Sequence, residues 1–409
     1  MNRTVFSSPG AMGFTAAEAA AMDAALAAAA LGVRGANPLV GASVLGADGD
    51  CVTGYHRGAG TPHAEIDALA RARAAGIDLG TATLLVTLEP CNHTGRTGPC
   101  ARAIIAAGIP RVIFAQADPV PGHGGGAETL LDAGVEVRSG LRGAAAGALN
   151  ARWFAAARGA RPFVTAKIAQ SLDGFSAAAD GTSQWITSAQ AREHAHGVRG
   201  RVDAILVGTG TVLADDPRLS ARLPTGEPAE RQPVPVVIGS RDVPADAQLR
   251  ANPGLRQYRP AGSGLRSEAA GGAGEGAAEP EFLLRVLRDL KADGCDHVLV
   301  EGGPGLVGSF LQAGLVDELL VYTAPLLLGA GTPSVRLPGI GTLRDALAFT
   351  PDPASAPASA PVRLGPDMLT RLVPVEADGP GSAGPGPSSG QPPADSAPQT
   401  STDNSQGDA

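Results

Sequence analysis

Basic charge, lysine and cysteine are all scarce in this sequence. Its 409 residues carry 32 Lys and Arg against 40 Asp and Glu, a net charge of −8. That excludes a broad basic surface for wrapping a nucleic-acid backbone or docking on anionic lipid. Four cysteines do not make a disulfide framework. The apolar stretch 16–31 is interrupted by Glu18 and Asp23 and lacks a basic flank and a cleavage site, which argues against a signal peptide or membrane span. Residues 376–409 contain no Val, Ile, Leu, aromatic, Lys or Arg. Such a segment cannot bury enough apolar area to offset ordering, so a disordered tail without catalytic role is expected. There is no repeat of solenoid period. What remains is a soluble, cytoplasmic, alanine-rich protein whose only lysines, Lys167 and Lys291, each stand out.

The length suggests two or three domains. A helix is expected over 15–32, a hairpin over 39–45 and 51–55 around an Asp-Gly turn, and a helix from Pro62 to about Ala75, stopped by Gly76. A strand over 83–88, a helix over 100–107 and a strand over 111–115 follow. This alternation predicts an α/β sandwich of roughly 150 residues. Residues 143–161 read as one connecting helix. A second α/β unit starts at Pro162, with strands over 163–169, 203–207, 234–238, 297–300 and 318–322 and helices over 188–198, 281–293 and 305–313. Two stretches, 221–232 and the low-complexity 261–280, read as loops.

The strongest chemical signal is Thr61-Pro62-His63-Ala64-Glu65, then Glu89-Pro90-Cys91, then Cys100. One imidazole and two thiolates are a zinc ligand set, and a catalytic zinc keeps its fourth position open for water. His63, Cys91 and Cys100 are each expected at a helix start, where the dipole favours thiolate. Glu65, two residues from a ligand, is placed to shuttle protons during attack of water on an aromatic amidine carbon. Zinc deaminases use an H-x-E with a P-C-x-x-C; here eight residues separate the cysteines. A structural zinc with His93 as fourth ligand and plain buried cysteines are the bland alternatives. Cys51 and Cys295 are expected to be buried small apolar residues.

Beyond this core, Asn37-Pro38-Leu39-Val40-Gly41, Gly54-Tyr55-His56-Arg57-Gly58-Ala59-Gly60-Thr61-Pro62-His63-Ala64-Glu65 and Thr87-Leu88-Glu89-Pro90-Cys91-Asn92-His93 resemble the bifunctional riboflavin-biosynthesis deaminase/reductases. The likeness continues through Ala166-Lys167, Ser171-Leu172-Asp173-Gly174, Asp180-Gly181, Ser183-Gln184-Trp185-Ile186-Thr187, Gly208-Thr209-Gly210-Thr211-Val212-Leu213-Ala214-Asp215-Asp216-Pro217 and Glu301-Gly302-Gly303-Pro304, about residues 15–375 in all. One departure is Thr94-Gly95-Arg96-Thr97-Gly98-Pro99-Cys100, where the family usually reads His-Gly-Arg-Thr-Pro-Pro-Cys.

The resemblance implies a cytidine-deaminase-like α/β/α domain over 1–150, a dihydrofolate-reductase-like α/β domain over 151–375 and the tail over 376–409. The first would hydrolyse the 2-amino group of 2,5-diamino-6-(5-phosphoribosylamino)pyrimidin-4(3H)-one, with Asn37 and His56 as substrate contacts. The second would reduce the ribosyl group to ribityl with NADPH. It further implies cofactor contacts at Ala169, Trp185, Thr211, Asp215 and the run Gly303, Pro304, Gly305, Leu306, Val307, Gly308, Ser309, and substrate contacts at Ser183, Arg199, Leu219, Arg222 and Glu301. A homo-oligomer is the family's tendency.

Read from the residues alone, Gly303–Gly308 spells G-x-G-x-x-G, but too late in its domain and without a suitably spaced acid for a dinucleotide fold. It is either a phosphate loop at a helix start or a tight turn. Arg199 and Arg222 suit a phosphate, or are solvated surface charges. Trp185 could be core, and Glu301 a structural acid. Lys167, a compact ammonium between Val164 and Ile168, is expected near the ribose, polarising or protonating the opening sugar. A zinc deaminase with a non-reducing second domain is the alternative; a nucleic-acid deaminase is disfavoured by the acidic balance.

Overall fold

The computed structural model describes residues 13–58, 60–92, 98–118, 124–260, 280–351 and 361–375. The expected tail, His93 and most of the 261–280 loop lie outside them. One compact unit runs to Pro374 and contains two large sheets and a two-stranded one.

The first half comprises α1 (Ala16–Ala29), β1 (Gly41–Leu45), β2 (Cys51–Tyr55), α2 (Ala64–Ala74), β3 (Thr83–Leu88), α3 (Cys100–Ala106), β4 (Arg111–Gln116), α4 (Gly126–Asp132), β5 (Glu136–Ser139), α5 (Gly143–Leu149) and α6 (Ala151–Arg158). Its sheet runs β2-β1-β3-β4-β5, antiparallel through β2, β1 and β3 and parallel from β3 to β5. Helices cover both faces. One core joins Leu69, Ile104 and Leu130 to Val44 and Val86; the other joins Met22 and Ala25 to Leu85 and Ile113. Helix α1 starts with a capping box, Thr15 and Glu18 each accepting the other's backbone N–H. It lies so close to the sheet that a Cβ on Gly41 would sit 1.9 Å from the Ala25 carbonyl oxygen.

The single connecting helix expected over 143–161 is two helices broken at Asn150. The Asn150 amide, buried at 1 % exposure, donates to the Leu39 carbonyl and accepts from the Leu39 N–H, each at 2.8 Å. Those bonds tie the junction to the first half. Cys51 also departs from expectation: it is exposed, because β2 is an edge strand and Cys51 opens it at the mouth of the hairpin.

The second half comprises β6 (Phe163–Ser171), β7 (Phe175–Ala178), α7 (Ala189–Arg199), β8 (Ala204–Gly208), α8 (Thr209–Asp215), β9 (Val234–Ile238), β10 (Arg256–Tyr258), α9 (Pro280–Ala292), β11 (His297–Val300), α10 (Pro304–Gln312), β12 (Glu318–Ala324), β13 (Gly331–Pro333), β14 (Phe349–Pro351), β15 (Val362–Leu364) and β16 (Asp367–Pro374). The main sheet runs β10-β9-β8-β11-β6-β12-β16-β14, with β15 beside β16. Strands β10 to β12 along this order are parallel, and β16 closes the sheet antiparallel to β12. Helix α9 buries Phe282, Leu283, Val286, Leu287 and Leu290 on one face; α7 and α8 cover the other through Ala191, Val198 and Val212. A parallel sheet covered on both faces accounts for the continuous apolar runs of its strands.

Candidate active sites

The carboxyl end of β3 and the starts of α2 and α3 converge on the first site. His63 is the N-cap of α2 and Cys100 the first residue of α3. Cys91 does not start a helix; it follows β3 in a loop. Its thiol sulfur nevertheless accepts the backbone N–H of Cys100 at 3.4 Å, so the first turn of α3 serves both cysteines. His63 Nδ1 lies 3.2 Å from Cys100 Sγ and 3.6 Å from Cys91 Sγ, and the three donor atoms all lie within 4.8 Å of one another. Tetrahedral zinc, with bonds of about 2.0–2.3 Å, separates such donors by roughly 3.5 Å. The donor set and its spacing therefore fit zinc with one position left open. The two thiols titrate against each other: the hydrogen bond from Cys100 holds Cys91 down to about 4, while that same bond to Cys91 pushes Cys100 upward.

Glu65, in the first turn of α2, is 4 % exposed, and burial pushes its carboxyl up to about 7. His56 Nδ1 lies 3.0 Å from the Pro62 carbonyl oxygen, which can only accept, so the proton sits there. Nε2 then accepts from Asn37 Nδ2 at 2.8 Å, which leaves the Asn37 carbonyl oxygen as the acceptor for a ligand. Asn37, His56, His63, Glu65 and Cys91 line one cavity of about 570 Å³, within the range for a small-molecule site. Glu89 has a task that its place in the Glu89-Pro90-Cys91 run does not announce. Its Oε1 accepts the N–H groups of Gly125 and Ala127 at the start of α4, at 2.9 and 3.3 Å, fastening that helix against the metal loop.

The second site lies at the carboxyl ends of the parallel strands. Glu301 follows β11 and is 10 % exposed at its side chain. Arg199 grips it with Nε to Oε2 at 2.8 Å and Nη2 to Oε1 at 2.9 Å, and Lys167 Nζ reaches Oε1 at 3.3 Å. Burial opposes ionisation of Glu301, but the two cations outweigh it and hold the carboxyl at about 2. Arg199 also donates to the Ser220 carbonyl at 3.3 Å; its guanidinium is thus engaged within the protein, whereas Arg222 is exposed. Tyr322 packs beneath Lys167 and bonds His194 Nδ1 at 2.8 Å.

The Gly303 loop follows directly after Glu301 and leads into α10. Gly303 caps α10, Pro304 opens it, and the Gly303 N–H donates to Thr211 Oγ1 at 2.8 Å. Gly305 is exposed, with open space where its Cβ would be. Gly308 has a different reason: a Cβ there would meet the Arg336 carbonyl oxygen at 1.8 Å. Val307 is buried in the core, and the Ser309 hydroxyl bonds the Gly305 carbonyl at 3.1 Å. Leu306 and Ala169 are half-buried, Asp215 is exposed and Ser183 half-buried. Trp185 is not core; it is 67 % exposed, with the Arg192 guanidinium 4.4 Å from its ring centroid. Leu219 is buried with φ 53, a conformation costly for a branched side chain.

Two families match the chain. The cytidine and deoxycytidylate deaminase zinc-binding region covers residues 16–116, and the RibD C-terminal domain covers 162–351. The chain is 44% identical over 328 residues to riboflavin biosynthesis protein RibD of Corynebacterium ammoniagenes, covering 79% of this chain and 90% of that one. It is 43% identical over 339 residues to RibD of Mycobacterium tuberculosis, covering 82% and 91%. Among solved structures, Acinetobacter baumannii RibD is similar at 32% identity and TM-score 0.64, with 88% of this chain and 99% of that one covered. A diaminohydroxyphosphoribosylaminopyrimidine deaminase/5-amino-6-(5-phosphoribosylamino)uracil reductase from Thermotoga maritima is similar at 30% identity and TM-score 0.62, with the same coverage.

Proposed function

The chain belongs to the RibD family of riboflavin-biosynthesis proteins, and we propose on that basis which of its residues carry each of two reactions. It is a zinc-dependent deaminase joined to an NADPH-dependent reductase. The pyrimidine is hydrolysed at its 2-amino group, and its ribosyl group is then reduced to ribityl. The deaminase-only alternative is not favoured: a reductase family spans 162–351 and Lys167, Arg199 and Glu301 meet in its half.

In the first reaction His63, Cys91 and Cys100 hold the zinc, which supplies the Lewis acidity that activates water. Asn37, oriented by His56, accepts from the pyrimidine edge. Glu65 takes a proton, passes it to the ring nitrogen, and then carries one to the departing ammonia. The buried carboxyl beside three converging donors is the observation that carries this reading.

In the second reaction NADPH supplies the hydride. Glu301, kept ionised by Arg199, holds Lys167 in place. The Lys167 ammonium stands by the ribose to protonate the sugar as it opens. The start of α10, where Gly305 is exposed and has open space beside it, suits a cofactor phosphate. Arg222, Ser183, Trp185, Thr211 and Asp215 are the further residues we assign to the rim of this site. We place the junction between the two catalytic domains at Asn150. Self-association and a cytoplasmic location complete the proposal, the latter supported by two thiols that must stay reduced to bind metal; no described helix is long and apolar enough to cross a membrane.

The test is Glu65→Ala, assayed separately for ammonia release and for NADPH oxidation with the deaminated intermediate supplied. Loss of the first activity alone supports the assignment. Loss of both, or of neither, refutes it.

A further inference from the structure

The cavity of the deaminase half is not walled by that half alone. It extends to the amino ends of β8, β9 and β11, where Asp203, Arg231, Lys291 and Asp296 line it. We propose that Arg231 and Lys291, supplied by the reductase half, bind the phosphate of the deaminase substrate. This rests on the deaminase reading above and adds to it where the far end of that substrate goes.

The placement of cations in the lining decides the direction, although Asp203 and Asp296 stand beside them. The first half contributes Glu65, Glu89 and Asp118 to the lining, and a phosphate near them is repelled. Among the described residues, the Arg and Lys side chains that line the cavity are Arg161, Arg231 and Lys291. Arg161 is committed elsewhere: it is 8 % exposed and grips Asp317 with two bonds of 2.6 and 2.7 Å. Arg231 and Lys291 remain, and their side chains are 43 % and 39 % exposed.

Each is aimed by an aspartate. Lys291 Nζ bonds Asp296 at 2.6 Å, and Arg231 pairs with Asp203. Asp203 is fixed in turn, because its other oxygen accepts the N–H groups of Asp296 and His297 at 2.8 and 2.9 Å. Such exposed pairs are worth about 0–1 kcal/mol, so a phosphate can share both cations without breaking a strong bond.

The span between this wall and the pyrimidine end is rigid. A Cβ on Gly35, at φ +151, would lie 2.4 Å from His297 Nδ1, and Trp153 Nε1 donates to the Ala36 carbonyl at 3.2 Å. The segment that presents Asn37 is therefore packed directly on the start of β11. Lys291 is also one of only two lysines in the sequence, and the other belongs to the reductase cluster.

The experiment compares Arg231→Gln, Lys291→Gln and the double variant in steady-state ammonia release. Two substrates are used, the phosphorylated pyrimidine and the same compound after enzymatic dephosphorylation. KM for NADPH oxidation with the deaminated intermediate is measured on the same preparations. In the double variant, KM for the phosphorylated substrate should rise about tenfold or more, as lost charge-assisted bonds imply, with kcat within about twofold. KM for the dephosphorylated compound should not follow. An unchanged KM for the phosphorylated substrate overturns the proposal. So does an equal rise for both substrates, or a matching rise in the reductase KM. A wild-type chain that releases no ammonia would instead remove the deaminase reading itself.

Discussion

Asp296 and Glu301 bracket the four-residue strand β11, and each is paired with one of the two lysines of the chain. Asp296 bonds Lys291 at 2.6 Å and Glu301 bonds Lys167 at 3.3 Å. At about 3.3 Å per residue the two acids are roughly 17 Å apart along the strand. The first stands in the wall of the deaminase cavity and the second in the reductase cluster.

Removing any of the three proposed zinc ligands should separate the two activities. His63→Ala, Cys91→Ala and Cys100→Ala should each lower bound zinc from near one per chain toward zero after dialysis, read by atomic absorption. Ammonia release should fall by at least about a hundredfold, with NADPH oxidation retained. Full zinc in Cys91→Ala would mean that this sulfur is not a ligand.

Glu301 makes the second half acid-sensitive. Its carboxyl is held at about 2, below the ordinary 4.5. The stability it contributes is complete above the unfolded value and is lost as pH falls from about 4.5 through about 2. Glu301→Gln should flatten the melting temperature across that window and lower it at pH 7, because Arg199 and Lys167 are left without their counter-charge. A variant that melts like wild type at both pH values contradicts the ion-pair account.

Lys167→Arg keeps the charge but not the shape. A planar guanidinium cannot reproduce a compact ammonium beside both Glu301 and the ribose. NADPH oxidation should fall about tenfold or more, with ammonia release reporting an intact chain. Unaltered reductase turnover would remove Lys167 from the chemistry.

Asn150→Ala leaves both backbone groups of Leu39 unpaired in a buried place. A loss of about 2–3 kcal/mol is expected, measured by denaturant unfolding. A change under about half a kcal/mol would show that the junction does not depend on this amide.

The cluster of His63, Cys91 and Cys100 was legible because chemistry restricts metal donors: few residue types bind zinc, and these three stand in order beside a spare acid. Most helices and strands followed from apolar period and from Gly and Pro punctuation. Asn150 was not legible, since one amide in an Ala, Gly and Arg run gives no sign that it reaches Leu39, 111 residues away. Strand β16 was missed because its alternation stands next to low-complexity chain. Helix α8 escaped notice inside a stretch read as a motif. Cys91 was misplaced at a helix start because a residue after a strand can begin a loop equally well, and the helix that helps it is α3. The cation wall of the first cavity could not be foreseen, as periodicity does not reveal which strand edge meets a pocket more than a hundred residues away.

The parallel strands β6, β8 and β11 present their amino ends to the first cavity and their carboxyl ends to the cluster of Lys167, Arg199 and Glu301. Among the described residues, these strands therefore set a packed layer of Val, Ile and Leu side chains, Val164, Ile205, Leu206, Val298, Leu299 and Val300 among them, between two separate entrances.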